Sequence, residues 1–108
     1  MKVLMISAEV SPFAKVGGLA DVAGSLPKAL AARGVDIRVI TPKYRSTVQA
    51  GQPLQRALES VNVPMPTYMT GCALDVANLP GTDIPCYFVE HNHYFDRDSV
   101  YGTGGGFP

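Results

Sequence analysis

Neither sign of charge prevails in this chain: nine Lys and Arg side chains are matched by nine Asp and Glu. Such a balance gives no broad positive field, which excludes nucleic acid and anionic membrane surfaces as partners held by bulk electrostatics. Any anion must be bound by local groups. Cysteine is scarce as well. Cys72 and Cys86 show neither a CxxC nor a CxxxC spacing, and two cysteines without a secretory leader read as reduced thiols rather than a disulfide framework. Long apolar runs are also missing. The opening MKVLMISAEV has one lysine and an apolar stretch broken at Ser7, too short for a membrane span or for the apolar region of a signal peptide.

What is present is ordinary globular material, 46% hydrophobic and 17% charged over 108 residues, enough for one small core and not for two. Val3 to Ile6 is short and continuously apolar, the pattern of a central parallel strand covered on both faces. From Gly18 onward Leu19, Val22, Ala23, Leu26 and Leu30 fall at helical spacing, a stripe expected to face a sheet. Arg33-Gly34 supplies a cation and a left-handed cap at the helix end. Pro27, which cannot donate to the carbonyl of Ala23, should kink the helix. VDIRVIT (35–41) then resumes strand character, so the first forty or so residues form a βαβ unit.

The remainder alternates β-prone runs with proline. Residues 54–63 and 67–79 are expected to form a peripheral hairpin, and Cys86 to Val89 a third buried strand. A helix over 54–61 is the weaker alternative. The fold class is α/β, with parallel core strands and a sheet edge left uncovered, as at the start of a larger domain.

The chemistry concentrates in EVSPFAKVGGLADVAG (9–24). Gly17 and Gly18 place bare backbone N–H groups where a helix begins, and Lys15 adds a full charge beside them, a set suited to a diphosphate. The same residues also fit a tight strand-to-helix connection with a surface lysine. Two better-known nucleotide motifs are excluded. Gly17, Gly18 and Gly24 are spaced wrongly for GxGxxG, and no Gly-Lys-Ser/Thr is present for a P-loop.

KVGGLADVAGSLPKALAARG (15–34), preceded by SAEVSPFAK (7–15), closely resembles the N-terminal signature of bacterial glycogen synthases and plant starch synthases. VEHNHYFDRDSVYG (89–102) is similar to that family's stretch after its third core strand. The resemblance implies a retaining glycosyltransferase of the GT-B type, built from two facing Rossmann-like domains. This chain would supply part of the first, while the second, which holds the nucleotide, is absent. By the same resemblance Lys15 contacts the sugar nucleotide and neutralises the departing ADP phosphate. Gly17 and Gly18 would lie against the diphosphate and donor sugar. Asp21 would be a donor-site or loop-orienting carboxylate, or simply a first-turn carboxylate favoured by the helix dipole. Glu9 would be an acid of the active-site cleft, on the acceptor side, or a solvated carboxylate at a strand end. ADP-glucose and an α-1,4-glucan acceptor are the implied partners, without metal or cofactor. The implied compartment is a bacterial cytoplasm, since no transit segment precedes Met1.

A rival cluster lies in EHNHYFDRD, where Glu90, His91, His93, Asp96 and Asp98 hold enough donors to suggest a metal. Metal sites draw ligands from separate elements with a buried surround, so a polar strand end, with Glu90 and His91 facing the cleft, is the expected reading. Tyr94 and Phe95 are expected to anchor the core, and Tyr101-Gly102 to contribute to a cleft wall or an acceptor contact. The piece alone should be inactive, because half a cleft can neither exclude water nor fix two substrates. A free-standing module for a phosphorylated ligand is the alternative.

Overall fold

A computed structural model of the chain describes residues 1–49, 53–67 and 69–91. Its centre is a five-stranded sheet in the order β1-β2-β5-β4-β3, where β1 is Lys2–Ile6, β2 Asp36–Pro42, β3 Gln55–Pro64, β4 Met69–Asn78 and β5 Pro85–Glu90. Strands β1, β2 and β5 run parallel, with Met5 beside Val39 and Val39 beside Cys86. Strand β4 is antiparallel to β5, and β3 to β4. The hairpin expected over 54–79 therefore forms, but it extends the sheet through β5 rather than standing apart. The helix alternative over 54–61 is overturned, since Gln55–Pro64 is strand.

Helix α1, Gly18–Ala32, links β1 to β2. Its end follows the sequence closely. Gly34 takes a left-handed φ of 85°, its N–H donates to the Ala31 carbonyl, and the Val35 N–H donates to the Leu30 carbonyl. That pair of bonds is the Schellman arrangement, which satisfies carbonyls the helix leaves open. The helix runs on through Pro27 without interruption. A second, five-residue helix α2, Arg45–Gln49, follows β2 and was not expected.

Two expectations about burial need correction. The face that α1 turns inward carries Ala20, Ala23, Gly24 and Pro27, whereas Leu19, Val22 and Leu26 are exposed. The reason is closeness of approach. A Cβ on Gly24 would lie 2.9 Å from the Ser11 carbonyl oxygen, so only small residues allow the helix to sit on the loop that follows β1. Leu30 alone of the expected large residues packs against the core. Strand β1, expected to be central and covered on both faces, is one of the two edge strands of the sheet, with Leu4 56% and Ile6 78% exposed. Val3 and Met5 pack on the α1 side, and among the described residues no helix lies over the other face.

The core lies between α1 and the sheet: Val10, Phe13, Ala23, Ile37, Val39, Leu79, Ile84, Cys86 and Phe88 form one buried cluster. Two of its members, Val10 and Phe13, come from the loop after β1. Phe13 meets Phe88 edge-on, ring centroids 4.8 Å apart, a favoured aromatic geometry. This loop is thus packed like a core element, which holds the start of α1 in a fixed place. Both cysteines are free thiols, and burial pushes the Cys86 thiol up to about 12. No helix among the described residues is long and apolar enough to cross a membrane.

Candidate functional site

Because β1, β2 and β5 are parallel, their C-terminal ends share one edge of the sheet, the edge at which open α/β sheets receive ligands. The loop from Ser7 to Gly17 leaves β1 there. Its course is set by backbone and hydroxyl contacts. The Ser7 hydroxyl donates to the Glu9 carbonyl at 2.7 Å, and the Tyr44 hydroxyl donates to the Ala8 carbonyl at 2.9 Å. The Ser11 N–H donates to the Ala20 carbonyl at 3.0 Å, and Val10 and Ala14 form an isolated bridge. Tyr44 was missed by sequence reasoning, since nothing in a lone tyrosine after a strand signals a partner 36 positions earlier.

Glu9 is the organising residue of the turn. Its side chain is buried, with the residue 1% exposed, which overturns the alternative of a solvated strand-end carboxylate. Oε1 accepts from the Gly17 N–H at 2.9 Å and from the Ala20 N–H at 3.0 Å. The N-cap of α1 is Gly17, which has no side chain to cap with. Glu9 supplies that oxygen instead, from eight residues earlier. A second correction follows: the Gly17 amide, expected to be an open donor, is occupied. Gly18 and Leu19 have no acceptor for their N–H groups among the described residues, and both are exposed.

Lys15 and Asp21 meet across the exposed side of the same turn, Nζ to Oδ1 at 3.0 Å, with side chains 54% and 56% exposed. At that exposure the pair contributes little, about 1 kcal/mol or less, and a competing anion can displace it. A Cβ added at Gly17 or Gly18 would meet nothing within 4 Å. No contact within the described chain requires glycine at either position. The structure therefore brings all five candidate residues to one turn: Glu9 beneath it, Lys15 and Asp21 on its outer side, and two unencumbered glycines between.

A second polar cluster occupies the same sheet edge and was not foreseen. Lys43, just past β2, places Nζ 2.7 Å from Asp75 Oδ2 and 2.8 Å from Glu90 Oε2. Arg56 closes the set, with Nε 2.8 Å from Asp75 Oδ1 and one terminal nitrogen 3.1 Å from Glu90 Oε2. Hydrogen bonding from Lys43, more than the opposing effect of burial, holds the Glu90 carboxyl below its ordinary value. Burial alone would lower the Lys43 ammonium, but its bonds to Asp75 and Glu90 outweigh that and raise it. One sequence signal existed: Asp75 interrupts the inward alternation of Ala73 and Ala77 on β4, and a buried acid needs a cation.

Glu90 is thus tied into an ion network, and His91 Nε2 lies 2.8 Å from the Thr70 hydroxyl. Among the described residues no group of His, Cys, Asp and Glu could hold a metal ion. His93, Tyr94, Phe95, Asp96, Asp98, Tyr101 and Gly102 lie outside the described residues. A depression of about 510 Å³ sits beside the network, between Arg56, Glu59, Cys72 and His91. It lies on the hairpin side of the sheet and shares no residue with the 15–21 turn.

Comparison with known proteins gives a consistent result. Residues 2–108 match the family model described as starch synthase catalytic domain. A glycogen synthase of Geotalea daltonii is 42% identical over 98% of this chain and 22% of its own length. That of Thermotoga maritima is 43% identical over 94% of this chain and 22% of its own. Among solved structures, the catalytic domain of starch synthase IV from Arabidopsis thaliana, bound to ADP and acarbose, superposes with a TM-score of 0.76 at 28% identity, over 94% of this chain and 21% of that one. The chain spans about a fifth of the length of these relatives.

Proposed function

This chain belongs to the starch synthase catalytic domain family, and from that premise we propose that its 15–21 turn receives the diphosphate of ADP-glucose. The full-length protein that carries it transfers glucose to the 4-hydroxyl at the non-reducing end of an α-1,4-glucan, with retention at the anomeric carbon. One observation carries the reading. At the ligand-binding edge of the parallel strands, a lysine and two exposed amides without acceptors flank two glycines that nothing in the described chain requires.

The chemistry this turn can perform is electrostatic. As the bond from the anomeric carbon to the diphosphate breaks, negative charge grows on the leaving phosphate. Groups already fixed in place around that charge lower the barrier most. Lys15 exchanges its weak contact with Asp21 for the phosphate, and the Gly18 and Leu19 N–H groups, with the positive end of α1 behind them, point donors at the same anion. Asp21 then holds the lysine in reach when the site is empty. The reading needs no metal or cofactor. It gives the remaining groups of the cleft to a second Rossmann-like domain of the full-length protein, and places that protein in a bacterial cytoplasm, so the 108-residue chain alone should not transfer glucose. The structure of a relative bound to ADP and acarbose supports a nucleotide and a glucan as the two ligands.

Lys15→Ala in the full-length protein tests this directly. The expected result is a fall of about 100-fold in kcat/KM for ADP-glucose, the usual scale for removing one charge-stabilising donor, with Tm unchanged. Equal kcat and donor KM in the variant and the parent would remove Lys15 from the site.

A further inference from the structure

Helix N-termini usually carry their own capping side chain, and α1 does not. Its N-cap is Gly17, and the capping oxygen arrives from Glu9 under the turn. We infer that Glu9 is a positioning residue: by taking the Gly17 and Ala20 amides, it frees the N-cap position from needing a side chain and leaves the Gly18 and Leu19 amides for the diphosphate. The inference rests on the proposed donor site and adds the reason that site can exist. A Ser, Thr, Asp or Asn at position 17 would cap the helix as well, but it would put a side chain on the exposed surface where the ligand must approach. Transferring the cap to a buried residue of the preceding loop separates the two demands.

The surroundings make Glu9 suited to this. It is 1% exposed, its neighbours Val10, Phe13 and Ala14 are core residues, and the loop on which it sits is tied to β2 and α1 by the Ser7 N–H to Ile40 carbonyl and the Ser11 N–H to Ala20 carbonyl bonds. The carboxyl is therefore held by a rigid frame, and it holds the turn in its place. A residue acting this way touches no reacting atom, so its removal should be felt through donor affinity and turn order rather than through proton transfer.

The experiment compares Glu9→Ala and Glu9→Gln in the full-length protein, reading hydrogen exchange across residues 10–24, the Kd for ADP by calorimetry, and kcat. Glu9→Ala should speed exchange in that segment and weaken ADP binding about tenfold. Glu9→Gln keeps an acceptor oxygen and should restore both to within about threefold of the parent, with kcat within about tenfold. If Glu9→Ala does not fold, the glutamine variant decides alone. Full exchange protection and ADP affinity with kcat lost about a thousandfold or more in Glu9→Gln would make Glu9 a proton-transferring group and overturn the inference. Parent-like exchange and ADP affinity in Glu9→Ala would overturn it too. A parent protein that fails to bind ADP would instead defeat the proposed donor site, while the exchange data would still report whether Glu9 orders the turn.

Discussion

Gly24 and Gly18 stand on the same helix and are glycines for opposite reasons. At Gly24 the helix presses on the loop after β1, and an added Cβ would lie 2.9 Å from the Ser11 carbonyl oxygen and 3.4 Å from the Ser11 Cβ. At Gly18 an added Cβ would meet nothing. The first glycine is required by the fold. The second is not required by any contact of the described chain, and in the proposed site it is the ligand that would require it. Two surfaces of one helix thus divide the work between them: the inner, small-residue face fixes position, and the outer first turn is kept bare.

Gly24→Val is the strongest way to break that division. Its side chain would collide with backbone, which cannot swing aside as a flexible side chain can. Overpacking of this kind costs about 3 kcal/mol, the upper part of its usual range. Relief requires the loop from Ser7 to Gly17 to move, so the expected outcome is a lower Tm together with weaker ADP binding in the full-length protein. A Tm within about 1 °C of the parent would show that the close approach of helix and loop does not bear on stability.

How much of this was legible beforehand differs between the two surfaces. The βαβ order, the Gly34 cap and the hairpin are local signals, and they appear where the spacing of apolar residues, glycines and prolines places them. The inward face of α1 was misread because apolar periodicity favours Leu19, Val22 and Leu26, whereas the distance between helix and loop favours Ala20, Ala23 and Gly24. That distance is a tertiary quantity. The same limit hid the role of Glu9, whose bonds span eight and eleven positions of irregular chain, and the ion network, which joins residues 43, 56, 75 and 90 from four segments. Motif resemblance could select Glu9, Lys15 and Asp21, but not show that one lies beneath the turn while the other two pair on its outside.

The ion network extends the comparison to the two halves of the sheet. The parallel half is held by apolar burial, whereas the end of the antiparallel half is tied to it by charge, through Lys43. The second, being built on ionised groups, should depend on pH through Lys43 and Glu90. Glu90 titrates below its ordinary 4.5 in the folded chain, so its stabilisation is present above the unfolded value and is lost as pH falls through the lowered one. Lys43 titrates above its ordinary 10.5, so its stabilisation is present below the unfolded value and is lost as pH rises through the raised one. Lys43→Met should lower stability by about 1.5 kcal/mol near neutral pH, the scale of a charged hydrogen bond that is only partly buried. The gap between variant and parent should narrow below about pH 4.5 as Glu90 protonates. A gap that stays constant from about pH 7 to about pH 3 would show that Lys43 acts through packing of its alkyl chain alone.

The smallest effect on stability is expected at Gly18, and its smallness is the point. Gly18→Ala adds a methyl group into open space at the first helical position, where alanine is favoured over glycine by up to about 1 kcal/mol within helices and by less at their ends. Tm should stay level or rise slightly. In the proposed site the same methyl group would stand where the diphosphate approaches the backbone, so ADP affinity should fall even as the fold gains. A variant with unchanged Tm and weakened binding separates the two kinds of glycine on α1 in one measurement. If affinity were also unchanged, the bare turn would be a property of the connection between β1 and α1, and the requirement for glycine at 18 would have to be found elsewhere than in the nucleotide.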